Sequence, residues 1–262
     1  WRGIVLWEFD GRTWRRGDPG QSGPPAATDG SAVTYTLTLE PHNRNWLFVL
    51  DLPARVDLRG AWLNSDHSLQ SWRPVTGRLS YRVMSNPEAR AQGPRTPPPR
   101  GLQLPPAGNP RARELARQWR QESDSPRAIV DQALAFLSNG DFRYTLEPGA
   151  TDTSADAIDR FLFATRAGFC EHFAASFAFL LRAAEVPVRL VGGYLGGRVN
   201  PLGGHLVVRQ ADAHLWCEVL LDGHWQRIDP TAVVAPRRLE GGTDELLATA
   251  GADSPLALLG LG

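Results

Sequence analysis

The sequence predicts an α+β fold, and three observations support this class. Short strand-like runs occupy the first third of the 262-residue chain, a proline-rich segment follows, and helical periodicity then gives way to further strands. Six of the nine tryptophans lie within the first 72 residues, which sets this part apart in composition. We therefore predict a small antiparallel β-domain at residues 1–105, a second domain at 106–240 with helices packed on an antiparallel sheet, and a flexible tail at 241–262.

The β-domain is predicted from three strand-like segments. Ala32–Glu40 alternates between polar and apolar side chains, and Trp46–Leu52 and Gly77–Ser85 read as further strands between turn-rich segments. We expect Trp1–Gly30 to be largely irregular. The segment Pro94–Pro110 contains too many prolines for a helix or a central strand, so we interpret it as a linker.

The second domain is predicted to begin with helices and to end with strands. One helix has a capping serine followed by proline at its first helical position, and it stops at an Asn-Gly pair. The predicted helices are Pro110–Gln121, Ser125–Asn139, a segment from about Ser154, and a segment from Cys170 that ends before Pro187. Four strand-like segments follow: VPVRLVGGY, GHLVVRQ, AHLWCEVLL and HWQRID.

Composition and charge exclude several classes of function. The chain has 28 basic and 28 acidic residues, so it lacks the basic surface that binding to nucleic acid or to anionic lipid requires. No apolar run is long enough to span a membrane and no signal-peptide pattern opens the chain, so we expect a soluble unit. Two cysteines cannot form a disulfide framework, and the fold must be stabilised by packing.

The chemistry of the chain is expected to centre on Cys170, in the stretch RAGFCEHFAASFAFLL. This cysteine is predicted to lie at the N-terminus of its helix, where free backbone N–H groups and the helix dipole favour an ionised thiolate. A free cysteine is more commonly a small buried hydrophobic residue, and position alone does not separate the two readings. A base within reach of the thiol is what would favour a nucleophile.

A predicted β-hairpin provides such a base. Asp222-Gly223 lies between two strand-like runs and indicates a two-residue turn, which places Cys217 opposite Ile228. By the two-residue period of a strand, His214 and Asp229 then lie diagonally on one face, within side-chain reach of each other. Cys217 lies on the opposite face, where we expect it to pack against the helices.

A cysteine at a helix N-terminus, a histidine and an aspartate together form a unit for nucleophilic acyl transfer. The thiolate attacks a carbonyl carbon, the histidine carries the proton, and the aspartate fixes the imidazole tautomer. Taken singly, His214 reads as a half-buried histidine and Asp229 as a turn residue. The shared face makes the catalytic reading the better one.

Three blocks of this sequence resemble the signature of the transglutaminase-like superfamily, in particular its bacterial membrane-anchored branch. They are AGFCEHFAASFAFLLRAAEVPVRLVGGY, DAHLWCEV and RIDPT, in the expected order and spacing from roughly Arg111 to Pro236. The resemblance implies a papain-like transglutaminase core and assigns the triad to Cys170, His214 and Asp229. Leu215 and Cys217 depart from the small residues usual in the second block, but they replace no member of the triad.

Further site residues are suggested with alternatives left open. The backbone N–H of Cys170 is a candidate oxyanion donor, and Tyr144 is a candidate second donor that reads equally well as a core aromatic residue. Trp216 shares the face of His214 and Asp229, where it would line the acyl site or serve in packing. No EF-hand pattern or acidic cluster suggests the calcium used by animal transglutaminases, and we predict no metal or cofactor.

The leading functional hypothesis is a protein-glutamine γ-glutamyltransferase, whose partners are a protein or peptide with a glutamine acyl donor and an amine acceptor. The alternatives are a cysteine peptidase or amidase that uses the same triad on protein or cell-wall peptides, and a catalytically idle scaffold whose β-domain binds a partner. The resemblance also implies that this chain belongs between membrane spans of a longer protein, at the periplasmic face of the bacterial inner membrane.

Overall fold

The computed structural model describes residues 1–18, 31–94, 96–149 and 154–236, and it confirms the predicted α+β fold. The strands before the proline-rich segment are β1 (Arg2–Leu6), β2 (Glu8–Phe9), β3 (Trp14–Arg15), β4 (Val33–Leu39), β5 (Trp46–Leu47), β6 (Pro53–Asp57), β7 (Ala61–Leu63), β8 (Leu69–Ser71), β9 (Leu79–Ser85) and β10 (Ala91–Gln92). They are followed by a 3-10 turn (Pro99–Gly101), α1 (Pro110–Glu122), α2 (Pro126–Asn139), β11 (Arg143–Tyr144), α3 (Ala157–Arg160), a π-helical turn (Phe161–Thr165), β12 (Ala167–Gly168), α4 (Cys170–Ala183), β13 (Val188–Tyr194), β14 (Arg198–Val199), β15 (Leu206–Val207), a 3-10 turn (Gln210–Asp212), β16 (Ala213–Leu221), β17 (His224–Ile228) and α5 (Thr231–Val234).

A five-stranded antiparallel sheet forms the centre of the molecule. Its strand order is β1-β13-β16-β17-β10, so strands from the first hundred residues form both of its edges. All nine residues of β16 are buried, as are all but the last residue of β13. Because both faces of these strands are covered, their sequences contain long apolar runs and little polar alternation.

Helix α4 packs on one face of this sheet. Its side chains Phe173, Phe177 and Leu181 are fully buried, as the apolar spacing predicts, and they share one core cluster with Leu215 and Cys217 of β16. Burial of a large apolar side chain contributes ~1.5–3 kcal/mol. This contact therefore fixes the start of α4 relative to the strand that carries His214.

The other helices follow the sequence prediction in most respects. Helix α2 begins with Pro126, and the Ser125 hydroxyl accepts a hydrogen bond of 3.3 Å from the backbone N–H of Ala128. The next predicted helix is shorter than expected, because α3 has a single turn that continues as the π-helical turn. Its apolar side chains Ile158 and Leu162 are nevertheless buried, as predicted.

The expectation that Trp1–Gly30 is largely irregular is wrong for the part that the structure describes. Strand β1 pairs with β13, with Val5 opposite Val191, and all five of its residues are buried. Strands β2 and β3 pair with each other directly afterwards. The apolar run GIVLW, which follows Arg2 directly, is the sequence signal for β1.

A cluster of buried charges explains how Arg2 enters the core. Its guanidinium group bonds to the Glu218 carboxylate on β16 and lies 3.2 Å from Asp51. The second oxygen of Glu218 accepts a hydrogen bond of 2.7 Å from Arg189 on β13. Burial opposes the charged form of Arg2, but Glu218 and Asp51 outweigh it and raise the pKa of that guanidinium. These pairs fix β1 to the centre of the sheet.

The remaining strands of the first part form two small three-stranded sheets, ordered β4-β9-β6 and β5-β8-β7. Their shared core contains Leu47, Leu69, Tyr81 and Val83. The Tyr81 hydroxyl donates to the carbonyl oxygen of Phe48 at 2.6 Å and accepts from the N–H of the same residue at 3.0 Å. The predicted β-rich region is therefore present, with its own core.

The proline-rich segment, read from the sequence as a linker, is held against the rest of the molecule. The Gln103 side chain donates to the carbonyl of Phe9 at 2.9 Å and accepts from its N–H at 2.8 Å, while Arg182 of α4 donates to the Gln103 carbonyl at 2.7 Å. The division of the chain at residue 105 stays a prediction. The predicted tail at 241–262 lies outside the described residues, and among those residues no helix is both long and apolar enough to cross a membrane.

Candidate active site

Cys170 is the first residue of α4, as predicted, and only 2% of it is exposed. The chain enters the helix in a turn that His172 stabilises, because its Nδ1 atom accepts a hydrogen bond of 3.4 Å from the N–H of Phe169. A Cβ atom at Gly168 would lie 2.7 Å from the His172 ring. Glycine is therefore required where the histidine ring folds back, and the motif GFCEH positions the thiol.

The predicted hairpin is present in the predicted register. Asp222 and Gly223 both have positive φ, 52° and 74°, as a type I′ turn requires. Strands β16 and β17 pair with Cys217 opposite Ile228. This register carries Asp229, at the end of β17, to the strand position from which it can reach the histidine.

His214 and Asp229 form a direct contact. The Nε2 atom of His214 lies 2.5 Å from the Oδ2 atom of Asp229. The other carboxylate oxygen accepts a hydrogen bond of 3.0 Å from the N–H of Thr231, so both oxygens are held. His214 is completely buried and about a tenth of the Asp229 side chain is exposed. The pair therefore has one fixed geometry.

Burial is the largest single influence on the pKa values of His214 and Asp229, but hydrogen bonds and nearby charges together outweigh it. Burial lowers the pKa of His214, whereas its hydrogen bond to Asp229 and its interaction with Cys170 raise it, and the result is a pKa of about 9. Burial raises the pKa of Asp229, but the bond to His214, the Thr231 N–H and Arg227 lower it below its ordinary value. The arrangement favours an imidazolium–carboxylate pair at neutral pH.

The thiol of Cys170 lies close enough to His214 to raise the pKa of the imidazole. Because Asp229 is bonded to Nε2, the ring nitrogen left for the thiol is Nδ1. This atom is buried, and no nitrogen or oxygen atom in the described part of the chain bonds to it. The structure thus brings together the three residues of the predicted triad, in the order thiol, imidazole and carboxylate.

Trp216 holds the imidazole from one side. Its ring is nearly parallel to that of His214, with an interplanar angle of 19° and ring centroids 6.4 Å apart, and the Arg227 guanidinium lies 4.1 Å from the indole ring. Trp216 is completely buried among apolar residues on the face of the sheet opposite α4. These contacts position His214, and a role of Trp216 in lining the acyl site stays a prediction.

Tyr144 lies beside the segment that leads into α4. Strand β11 pairs in parallel with β12, with Tyr144 opposite Gly168, and its ring stacks with that of Phe173 at a centroid distance of 6.3 Å. The tyrosine is therefore a neighbour of the nucleophile segment, as the oxyanion hypothesis requires. Its function as a donor stays a prediction.

Cys217 packs against the helices, as predicted. Its thiol donates a hydrogen bond of 3.4 Å to the carbonyl oxygen of Ala174 in α4, and both cysteines are free. Burial is the main cause that raises the pKa of the Cys217 thiol well above its ordinary value. This cysteine is therefore held in the neutral form.

Sequence reasoning missed the state of Glu171. The sequence places Glu171 in the first helical turn, where a carboxylate stabilises the helix. In the structure its Oε1 atom is buried without a hydrogen-bond partner in the described ranges, and burial raises the pKa of the carboxyl to about 7. No signal in the sequence distinguishes this partly buried carboxyl group from an exposed one.

The structure shows no group of three or more His, Cys, Asp or Glu residues that could hold a metal ion among the residues it describes.

Comparisons with known proteins identify two parts of the chain. A family model described as the TgpA N-terminal domain matches residues 1–92, and one described as the transglutaminase-like superfamily matches residues 113–230. The chain is 44% identical over 268 residues to a protein-glutamine gamma-glutamyltransferase of Pseudomonas aeruginosa, covering 99% of this chain and 40% of that protein. It is 33% identical over 138 residues to the uncharacterized protein YebA of Bacillus subtilis, covering 50% of this chain and 19% of that protein. The chain thus spans less than half the length of the curated relatives it matches.

Solved structures agree with these matches. Two crystal structures of the periplasmic domain of TgpA from Pseudomonas aeruginosa, one of them bound to ethylmercury, align with TM-scores of 0.85 and 0.87. They are 44% and 42% identical to this chain and cover 92% and 94% of it, and each alignment covers 86% of the TgpA domain. The similarity extends over the β-rich region, the central sheet and the helices alike. The chain belongs to the transglutaminase-like superfamily.

Proposed function

We propose that Cys170, His214 and Asp229 catalyse thiol-dependent acyl transfer from the carboxamide of a protein-bound glutamine to an amine. The observation that carries this proposal is the 2.5 Å contact between His214 and Asp229 beside a cysteine at a helix N-terminus. The name of the Pseudomonas aeruginosa relative, a protein-glutamine gamma-glutamyltransferase, supports the same reaction. We therefore propose that the chain is the catalytic part of a protein-glutamine gamma-glutamyltransferase.

In the proposed first half-reaction, the Cys170 thiolate attacks the carboxamide carbon of the glutamine. A C–S bond forms, and the carbonyl oxygen becomes an oxyanion. When this intermediate collapses, the C–N bond breaks and the leaving nitrogen takes the proton from Nδ1 of His214, so that ammonia departs. Asp229 keeps the imidazole oriented through Nε2 in every step. The product is a thioester and a neutral His214.

In the proposed second half-reaction, an amine attacks the thioester carbon. His214 accepts the proton that the amine loses, the C–S bond breaks, and the thiolate–imidazolium pair is restored. The net exchange replaces ammonia with the acceptor amine and leaves the enzyme unchanged. The pKa of about 9 for His214 is compatible with this cycle, because it keeps the imidazolium form available at neutral pH.

Stabilisation of the oxyanion is proposed to come from the start of α4. The first N–H groups of a helix have no partner within the helix, so the N–H of Cys170 can donate to the developing negative charge. Tyr144, paired opposite Gly168 in the adjoining strand, is the proposed second donor. We propose that Trp216 supports the site because its ring lies nearly parallel to the imidazole of His214 and so helps to fix the orientation of that imidazole.

We further propose that the natural substrates are proteins or peptides at the periplasmic face of the bacterial inner membrane, within a longer membrane-anchored protein. The two TgpA structures are of a periplasmic domain, and this similarity supports the location. All 28 basic residues of these 262 residues are arginine, so no lysine side chain within them can serve as the amine acceptor.

The experiment that tests this proposal separates transfer from hydrolysis. The protein is incubated with a glutamine-containing peptide and a primary alkylamine, and the peptide products are identified by mass spectrometry while ammonia is measured. The proposal predicts ammonia release and an amine adduct on the glutamine, both absent in Cys170→Ala. Conversion of glutamine to glutamate without an adduct, or cleavage of the peptide, would assign a cysteine hydrolase. No reaction with any glutamine peptide would favour the idle scaffold.

A further inference from the structure

Arg227 is a cation close to the triad that no step of the proposed reaction uses. It belongs to β17 and is paired opposite Glu218 of β16. By the two-residue period of a strand, its side chain is therefore on the same face of the sheet as those of His214 and Trp216. Its guanidinium carbon lies 4.1 Å from the centre of the Trp216 ring. Asp229 follows two residues later in the chain.

Trp216 connects this cation to the catalytic imidazole. The indole is completely buried, and its ring is nearly parallel to that of His214, with an interplanar angle of 19°. A guanidinium group over an indole is attracted by the π-electrons and can stack on the ring. The Nε1 atom of Trp216 is buried and has no hydrogen-bond partner within the described ranges. The orientation of the indole thus depends on its packing and on Arg227.

The guanidinium group is in turn held by Asp51, which lies between β5 and β6 of the β-rich region. The Nη1 atom of Arg227 is 3.7 Å from Oδ2 of Asp51, and the other carboxylate oxygen accepts a hydrogen bond of 3.2 Å from Nε of Arg2. Asp51 therefore joins Arg227 to the buried charges at the centre of the sheet. About a third of each side chain of the Arg227–Asp51 pair is exposed, and such pairs contribute little to stability, so the pair can be removed without unfolding the protein.

Arg227 also acts by its charge on the carboxylate of the triad. Burial raises the pKa of Asp229, and Arg227 is one of the groups that lower it again, which favours the ionised form that orients the imidazole. The other charges around the ion pair are the Arg2 guanidinium, the amino group of Trp1 and, opposite in the strand pairing, Glu218. Substitutions at position 227 retain all of these, so a difference from wild type reports the loss of Arg227 itself.

We propose that Arg227 is a positioning residue of the site, which acts through Trp216 on the orientation of the His214 imidazole. Asp51 keeps the guanidinium group in place, so a residue of the β-rich region completes the catalytic geometry. This inference rests on the proposed function of the triad and deepens it. No bond forms or breaks at Arg227, which acts by contact and charge alone.

The test follows the alkylation of Cys170 by iodoacetamide from pH 5 to pH 9, because the thiolate is the reactive form and a well-oriented imidazolium stabilises it. Arg227→Gln removes the cation, and Arg227→Lys keeps a charge without the planar group. Arg111→Gln is the matched control, because the Arg111 guanidinium carbon also lies 4.1 Å from the centre of an aromatic ring, that of Phe163, and neither residue belongs to the central sheet. The values of kcat and KM for ammonia release from a glutamine peptide are measured on the same preparations.

In Arg227→Gln the midpoint of the Cys170 alkylation profile should move to higher pH by at least ~0.5 units, because a less well-oriented imidazolium stabilises the thiolate less. The value of kcat should fall by at least about tenfold with KM nearly unchanged, since His214 acts on the reacting groups and not on substrate binding. Arg227→Lys should lie between Arg227→Gln and wild type, and Arg111→Gln should match wild type. A partly unfolded variant would lose kcat without this shift of the midpoint.

Asp51→Asn tests the link to the β-rich region. It should shift the midpoint in the same direction, and the double variant with Arg227→Gln should shift it no further than Arg227→Gln does alone, because the two residues act along one path. Additive shifts overturn the role of Asp51, and an unchanged midpoint in Arg227→Gln overturns the positioning role. A wild-type protein that releases no ammonia overturns the transfer function instead, and the alkylation profiles, which need no substrate, keep the two failures distinguishable.

Discussion

The imidazole of His214 and the carboxylate of Asp229 meet across a β-hairpin, with Nε2 2.5 Å from Oδ2, although fifteen residues separate them in the chain. Neither residue is in a loop that could adjust independently, since His214 lies within β16 and Asp229 directly follows β17. The type I′ turn fixes the register of the two strands and thereby fixes this contact. The position of the pair relative to Cys170 then depends on the packing of α4 against β16.

Replacing Cys170 with alanine is expected to abolish acyl transfer and to leave the melting temperature nearly unchanged. The substitution removes one sulfur atom at the end of the helix, whereas the core of α4 stays intact. Activity and thermal unfolding of the same preparation provide the measurement. Cys217→Ala is the control, because it removes a buried thiol that bonds to Ala174 and should lower stability while ammonia release continues. Loss of the chemistry in Cys217→Ala alone would show that the nucleophile is misassigned.

Asp229→Asn is expected to lower the rate of ammonia release by at least about 100-fold, because an amide cannot stabilise the imidazolium form of His214.

The same substitution should change the free energy of unfolding in a pH-dependent way. The folded-state pKa of His214 is raised from 6.5 to about 9. The stabilisation of the folded state by protonated His214 is therefore fully present below pH 6.5 and is lost as the pH rises through 9. The difference in unfolding free energy between wild type and variant should therefore shrink between pH 6 and pH 10, by an amount on the order of 2 kcal/mol. Urea unfolding at both pH values measures it, and a constant difference would contradict the assigned charge state.

Glu171→Gln is expected to stabilise the protein above neutral pH. Folding raises the pKa of this carboxyl from 4.5 to about 7, so the unfolded chain releases the proton first and wild-type stability is lost between these two pH values. The variant cannot ionise at this position, so its free energy of unfolding does not fall for this reason over the same pH range. Relative to wild type, its unfolding free energy should thus rise from pH 4.5 to pH 8 by an amount on the order of 2 kcal/mol. An unfolding curve for the variant with the same pH dependence as wild type would show that the carboxyl is ionised freely in the folded state.

The buried cluster around Glu218 is expected to be essential for the fold. Glu218→Gln leaves the buried guanidinium group of Arg189 without its carboxylate and leaves Arg2 with Asp51 alone, and such a change costs about 3–5 kcal/mol. The exposed pair of Arg55 with Asp57 supplies the comparison, since its loss in Arg55→Gln should cost less than about 1 kcal/mol. Chemical denaturation of both variants at one pH decides the matter: equal, small effects would mean that β1 is not held by these charges.

Much of the site could be predicted from the sequence, because its geometry follows from local rules. Asp222-Gly223 determines the turn, the turn determines the register, and the register places His214 and Asp229 on one face. The cysteine position follows from the start of the α4 pattern. Family resemblance and strand parity led to the same residues independently.

The parts that were missed depend on contacts between residues far apart in the chain. Strand β1 was not expected, since the partner that neutralises Arg2 is Glu218, more than two hundred residues later. A charged residue at the start of an apolar run is normally a surface signal, and only the fold reveals its partner. The burial of Glu171 is the same kind of information, because the sequence shows its place in the helix but not what covers it.

The most direct test of the account is the rate of alkylation of Cys170 and Cys217, measured separately by mass spectrometry from pH 5 to pH 9 in wild type and in His214→Ala. The account predicts that Cys170 reacts rapidly below pH 7 in wild type, that this reaction slows strongly in His214→Ala, and that the buried Cys217 stays slow in both. A Cys170 that reacts at the same rate with and without His214 over the whole range would contradict the claim that these residues form one catalytic unit.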